Sequence, residues 1–132
     1  MYNLDIWKDI NAAARAAILD DLHELDEDDL LERSDALLAT LPVVGKEQPS
    51  TSALLKRYQG RLQQELCIGT QPRIAEFHLV QEELVEITRG IMVVIEGSEG
   101  ISIESALHLA LVLRARGLAN FCATPPPLGA RL

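Results

Sequence analysis

A chain of 132 residues is long enough to form one domain with a sizeable apolar core, without a disulfide or a metal to hold it together. Its formal net charge is −8, from 20 acidic and 12 basic residues. This balance argues against a general nucleic-acid binder, because affinity for phosphates needs clustered Lys and Arg. Hydrophobic residues make up 48% of the chain and aromatic residues 4%, which excludes a disordered or fibrous protein. We expect an all-α fold, a compact bundle of about five helices.

The negative charge is concentrated at the start of the chain. Residues 1–35 hold eleven acidic and three basic residues, whereas acids and bases balance over residues 36–132. All eight Asp residues lie in this first quarter. An excess of one sign over a short stretch steers association with a partner of opposite charge, so a basic protein is the expected partner.

The sequence also indicates a compartment. Asp5 and Asp9 stand where a secretory signal would need a basic start and a long apolar run. The longest apolar stretches, Ile91–Ile95 and Leu109–Leu113, are far too short to span a bilayer. We therefore expect a soluble cytoplasmic protein that does not act at a membrane. Arg outnumbers Lys nine to three, which suits a bacterial genome rich in GC.

Two helices are predicted in the first third of the chain. Apolar residues recur every three or four positions over residues 4–23 and again over 27–41, which is the period of one helix face. Asp26 is the expected N-cap of the second helix, and Asp28 and Asp29 would oppose the positive end of its dipole. Pro42 should end that helix, and residues 42–50 read as a loop.

A third helix is predicted from Ser50 or Thr51, with Gly69 as a left-handed C-cap. A fourth would then open with Thr70 as its cap and Pro72 in its first turn. It carries a heptad seam of Phe77, Val80, Leu84, Ile87, Ile91 and Val94. Such a seam is typical either of a bundle core within one chain or of self-association into a homodimer, and its length does not decide between them.

Residues 91–104 can be read in two ways. Apolar runs on either side of Gly97–Gly100 are compatible with a short β-hairpin, but helix–loop–helix is favoured because Ser102 is a good N-cap. The last helix, ending near Gly117, is apolar nearly all round and should be central. Residues 1–122 would form one helical domain, and residues 123–132, with three consecutive prolines, an extended tail.

The motifs of familiar enzymes are missing from the sequence. There is no GxSxG nucleophile motif and no phosphate-binding loop, and the lone thiols Cys67 and Cys122 are expected to be small buried hydrophobes. Weak metal candidates are the two pairs spaced i and i+4, which are His78 with Glu82 and Glu104 with His108. Helix pairs of this kind are common without metal. We expect no cofactor and no catalytic residue.

One small basic cluster is also present. Lys56, Arg57 and Arg61 would share a helix face, to which Arg73 and Arg89 could be added by folding. These residues could contact phosphates, but with a net charge of −8 a match to the acidic first quarter, within or between subunits, is favoured.

The hypothesis that follows is a non-enzymatic protein of regulatory or adaptor type, which docks a basic partner such as a toxin, a secreted effector or a nucleic-acid enzyme. The residues expected to bind it are the acids not needed for helix capping, which are Asp20, Asp21, Glu24, Glu32 and Asp35. The alternative is a homo-oligomeric structural module, and less favoured ones are a metal-dependent enzyme or a DNA-binding regulator. No motif identifies the partner, the pathway or a small ligand.

Overall fold

The computed structural model describes residues 4–40, 50–73, 79–96 and 101–124, and these form the predicted all-α fold, to which one small β-hairpin is added. The helices are α1 (Leu4–Leu19), α2 (Glu27–Leu38), α3 (Thr51–Arg57), α4 (Gln59–Leu66), α5 (Val80–Ile91), α6 (Ile103–Arg116) and α7 (Leu118–Ala123). A 3-10 helix, Leu22–Glu24, joins α1 to α2, and a π-helical turn, Met92–Glu96, continues α5. The strands β1 (Cys67–Ile68) and β2 (Gln71–Pro72) pair antiparallel.

Helix α6 is the centre of the fold. It packs against α1, α2, α5 and α7, and every residue from Ser105 to Leu113 is buried. A helix that is apolar on all sides needs neighbours on all sides, so the predicted central position is confirmed. Both ends of this helix are defined by residues close in sequence. The Ser102 hydroxyl accepts from the Ser105 amide at 3.1 Å, and Gly117 ends the helix with a φ of 96°.

The first two helices are shorter than predicted. Helix α1 stops at Leu19, and Asp21 takes a left-handed backbone conformation, with a φ of 58°, that turns the chain into the 3-10 helix. The predicted N-cap of α2 is confirmed, since the Asp26 carboxylate accepts from the Asp29 amide at 2.9 Å. Helix α2 ends at Leu38 rather than 41. The predicted loop lies outside the described residues over 42–49.

The predicted third helix is divided into two. Helices α3 and α4 meet at Tyr58, whose φ of −101° and ψ of 10° interrupt the helix. The apolar residues that recur at helical spacing over α3 and α4 are nevertheless all buried, and these are Leu54, Leu55, Tyr58, Leu62 and Leu66. The helical period therefore predicts the buried side chains correctly even where it misses the break.

The predicted start of the fourth helix is wrong. Thr70 and Pro72 belong to a hairpin in which Cys67 pairs with Pro72, and Gly69 has a φ of 62° in its turn rather than at a helix end. The helix begins only at Val80. A hairpin at 91–104 is also wrong, because residues 91–96 are helical and α6 starts at Ile103; residues 97–100 lie outside the described part.

The heptad seam is covered by the chain itself. Leu84, Ile87, Ile91 and Val94 are buried, Val80 is partly buried, and Phe77 lies outside the described residues. Helix α5 packs against α1, α4 and α6. Gly90 lets α4 approach closely, since a Cβ there would lie 2.6 Å from Leu66 Cδ2. A second copy is not needed to bury these side chains.

Cys67 and Cys122 form a disulfide that joins β1 to α7, so the prediction of two lone thiols is wrong. Their burial is as predicted, but their pairing depends on tertiary contacts between residues 55 positions apart. Helix α7 was not predicted, and it includes Ala123, which the prediction placed in the tail. Residues 125–132 of that tail lie outside the described residues.

Candidate functional site

Exposed carboxylates surround the connection between α1 and α2. Asp20 and Asp21 follow α1, Glu24 belongs to the 3-10 helix, and Glu32 lies on α2. All four are exposed, and we call them the acidic surface. Within the described residues no Lys or Arg forms an ion pair with any of them; Glu24 lies 4.0 Å from the ring of His23. Their charge is thus largely uncompensated by the fold.

Asp35, the fifth predicted binding residue, has a structural role instead. Its Oδ1 accepts from the Thr51 amide at 2.7 Å, at the first residue of α3. Beside it, the buried Thr51 hydroxyl donates to the Ser34 hydroxyl at 2.6 Å. Both bonds connect α2 to the start of α3. The pairing spans sixteen residues, so no local sequence signal announces it.

Internal ion pairs compensate other acids. Glu27 pairs with Arg116 at 3.3 Å, and Glu83 with Arg114 at 3.5 Å. Arg114 also donates to the backbone carbonyl of His23 at 3.3 Å, which connects α6 to the 3-10 helix. The acid of the first quarter in these pairs, Glu27, is therefore matched by an arginine at the end of α6 and not by the predicted basic cluster.

The predicted basic cluster is divided by the fold. Arg89 lies 3.6 Å from Glu65 and 3.4 Å from Glu86, and its guanidinium lies 5.7 Å from the centre of the Trp7 ring. It therefore has a structural role between α1, α4 and α5. Exposed members of the cluster are Lys56, Arg57, Arg61 and Arg73.

A groove of about 440 Å³ lies between α1, α2 and α6, and we call it the α1–α6 groove. Its charged lining residues are Asp9 of α1, Asp20 just after α1, Glu104 of α6 and Arg33 of α2, three acids against one base. Asp20 lies one residue beyond α1 and about three helical turns from Asp9, so both border the groove on the same side of this helix. The apolar lining residues are Ala13, Ala16, Ala17, Leu22, Ile103 and Leu107.

His108 is the most buried polar residue that lines this groove, at 3% exposure. Its Nδ1 lies 2.9 Å from the backbone carbonyl oxygen of Glu104. A carbonyl oxygen only accepts, so Nδ1 carries the proton, and in the neutral ring Nε2 is the acceptor. Within the described residues Nε2 has no hydrogen-bond partner.

The predicted metal pairs are not assembled into a ligand group in the described part of the chain. His78 lies outside it, Glu82 is exposed on α5, and His108 bonds the backbone of Glu104 rather than its carboxylate. The set of three described residues that could hold an ion is Asp21, His23 and Glu24, whose ligand atoms lie within 4.8 Å of one another. Helical spacing does not predict this set, because its residues meet through the turn into the 3-10 helix.

This ligand set does not define a metal centre by itself. Asp21 and Glu24 are exposed, and exposed acidic groups are common without an ion. The Nδ1 atom of His23 is buried without a hydrogen-bond partner among the described residues, while Arg114 approaches its backbone. The positive charge of Arg114, this close to His23, disfavours the binding of a metal cation at these three residues.

Comparison with known proteins finds no family model, no curated protein and no solved structure that matches the chain. Among the described residues no helix has the length and apolar character needed to cross a membrane. The fold and the site together define an all-α protein with a concentrated acidic surface beside a groove.

Proposed function

We propose that this protein acts by binding another protein of basic surface charge, through Asp20, Asp21, Glu24 and Glu32. The observation that carries the proposal is that these four carboxylates are exposed on or next to the α1–α2 connection and lack Lys or Arg partners among the described residues. Carboxylates elsewhere in the fold, such as Glu27 and Glu83, have them. The proposed role is regulatory or adaptor-like and not catalytic.

Electrostatics gives such a surface a defined use. Like charges on one surface raise the rate at which the protein encounters a basic partner, and this rate depends strongly on ionic strength. Their mutual repulsion slightly destabilises the fold, and a bound partner relieves it. Asp26 and Asp35 are excluded from the binding set, because each caps a helix start.

The test is a charge reversal that spares the helix caps. Glu24→Lys with Glu32→Lys should lower the capture of a basic partner from an extract of the native cells at least about tenfold, which corresponds to about 1.4 kcal/mol. The captured protein is identified by mass spectrometry, and its binding is remeasured with purified components at increasing salt. Binding should weaken steadily as salt rises.

The matched control makes the same change in net charge at another place. Glu82→Lys with Gln64→Lys and Thr70→Lys alters exposed residues outside the acidic surface. This variant should keep the partner, and circular dichroism should show both variants folded. Equal capture by the reversal variant, or a captured partner without a basic surface, would contradict the proposal.

A homo-oligomeric structural module is the second candidate. The seam on α5 is occupied within the chain, but four large apolar side chains are well exposed, which are Leu19, Ile68, Leu79 and Val93. Exposed apolar side chains can be buried in an interface between two copies of the chain. Light scattering after size exclusion should report a dimer; a monomer at high micromolar concentration would contradict this candidate.

The disulfide bears on where the protein works. Disulfides persist in oxidising compartments and are rare in the cytosol, where thiols are kept reduced. The Cys67–Cys122 bond therefore favours an oxidising compartment over the cytoplasmic location predicted from the N-terminal residues. Alkylation of free thiols in freshly lysed native cells measures which form is present.

A further inference from the structure

We propose that the α1–α6 groove receives an arginine side chain of the partner that docks on the acidic surface. The inference rests on the proposed function in that the bound protein presents the side chain. Asp20 belongs both to the acidic surface and to the groove, so the two are continuous. A partner lying on the surface would reach the groove without moving.

Charge identifies the class of occupant. The groove is lined by Asp9, Asp20 and Glu104 against the single guanidinium of Arg33, which leaves two negative charges in excess. Carboxylates arranged around a recess favour a cation, and a guanidinium offers five donors in a planar fork. A lysine would offer a single point charge to carboxylates that come from two different helices.

The apolar residues fit the rest of an arginine. Ala13, Ala16 and Ala17 lie between Asp9 and Asp20 on α1, and Leu107 faces the same space from α6. Small side chains leave room along the helix for the methylene stem of an arginine, which buries itself on apolar surface while its head stays polar. A volume of about 440 Å³ is more than one long side chain needs, so the groove admits an arginine without rearrangement.

His108 supplies the acceptor that a small-residue surface would lack. It is 3% exposed, its Nδ1 is bonded to the Glu104 carbonyl, and its Nε2 has no partner among the described residues. An acceptor without a partner that lines the groove is open to a donor that enters, and that donor gains a hydrogen bond there. A guanidinium N–H is such a donor.

The experiment uses a small cation as a probe of the groove. Butylguanidinium is titrated into isotopically labelled protein, and butylurea, which is neutral and of similar shape, is titrated in parallel. Amide and ring shifts should concentrate at His108, Ala17 and Leu107 with butylguanidinium. Butylurea should bind at least about tenfold more weakly.

Two matched variants locate the effect. Ala16→Trp places a large ring at an exposed position that lines the groove, whereas Ala12→Trp places it at an exposed position of the same helix outside the groove. The first should abolish the localised shifts and lower partner capture at least about tenfold. The second should leave both unchanged, and neither substitution changes a core residue.

Each result has one meaning. Shifts that are equal for butylurea, that spread over the acidic surface, or that persist in Ala16→Trp would overturn the groove as a cation site. Micromolar binding of butylguanidinium alone would show a site for free small cations and overturn the arginine of a partner. Equal capture by Ala16→Trp would overturn the groove while leaving the proposed function intact. Equal capture by the Glu24→Lys and Glu32→Lys variant would overturn the proposed function and with it the arginine of a partner, while localised butylguanidinium shifts would still mark the groove as a cation site.

Discussion

Two buried threonines of this fold differ in what their hydroxyls contact. Thr51 and Thr88 are both fully buried. The Thr51 hydroxyl donates to Ser34, whereas the Thr88 hydroxyl has no partner within the described residues. A buried polar group without a partner keeps its full desolvation cost. The two positions therefore allow the value of a buried hydroxyl to be measured in one protein.

We predict opposite results for the same substitution at the two sites. Thr88→Val should leave the free energy of unfolding unchanged or raise it by up to about 1 kcal/mol, because it removes an unbonded hydroxyl. Thr51→Val should lower it by about 1–3 kcal/mol, because the Ser34 hydroxyl loses its donor. Urea unfolding followed by circular dichroism measures both. A larger loss at Thr88 than at Thr51 would contradict the hydrogen bonds described here.

Residue-scale features divide into those that the sequence can predict and those it cannot. The caps Asp26 and Ser102 bond amides three residues away, so short patterns predict them. Cys67 and Cys122 are 55 residues apart, and their pairing depends on where α7 packs. His108 could be predicted as part of a buried helix, but the direction of its Nε2 could not.

At the scale of elements, the positions of the junctions between helices could not be predicted from helix periodicity. Periodicity predicts the buried face over α3 and α4 but not the break at Tyr58. Thr70 and Pro72 resemble a helix start, yet the pairing of Cys67 with Pro72 makes a hairpin. Helix α7 was missed because Gly117 reads as a final stop and prolines follow soon after. Helix periodicity thus identifies which side chains are buried but not where a helix breaks or begins.

The junction of α2 and α3 gives a prediction at this scale. Asp35→Ala should lower the free energy of unfolding by about 1–2 kcal/mol, because the Thr51 amide at the start of α3 loses a charged acceptor. Glu32→Ala, one turn earlier on the exposed side of α2, should change it by less than about 0.5 kcal/mol. Thermal unfolding of both variants makes the comparison. Equal stability of the two would remove Asp35 from its structural role.

At the scale of the whole molecule, the acidic surface and the disulfide belong to different parts of the chain. The acidic surface lies around the connection of α1 and α2, whereas the disulfide joins the hairpin to α7 near the other end of the described chain. The carboxylates of the acidic surface thus belong to elements outside the covalent loop between Cys67 and Cys122, whereas the α6 residues of the groove lie inside it. Changes to one should leave the other intact.

Removal of the disulfide tests whether partner binding is independent of the cross-link. Replacing both Cys67 and Cys122 by Ala should lower the free energy of unfolding by roughly 4 kcal/mol, because the closed loop no longer restricts the unfolded chain. Under native conditions the double variant should still capture the basic partner. Urea unfolding with and without reductant measures the first effect, and thiol titration of untreated protein should find no free thiol at either position. Two titratable thiols would contradict the bond.

The same bond changes how the molecule responds to mechanical force. A pull on the two chain ends is transmitted through the Sγ–Sγ bond, so α5 and the central α6 lie in a closed ring that carries no tension. The fully stretched chain is then shorter by roughly 190 Å, the length of 55 extended residues. Under load, the helices that form the centre of the core are therefore the last part of the chain that can be straightened, and they straighten only after the bond is cut.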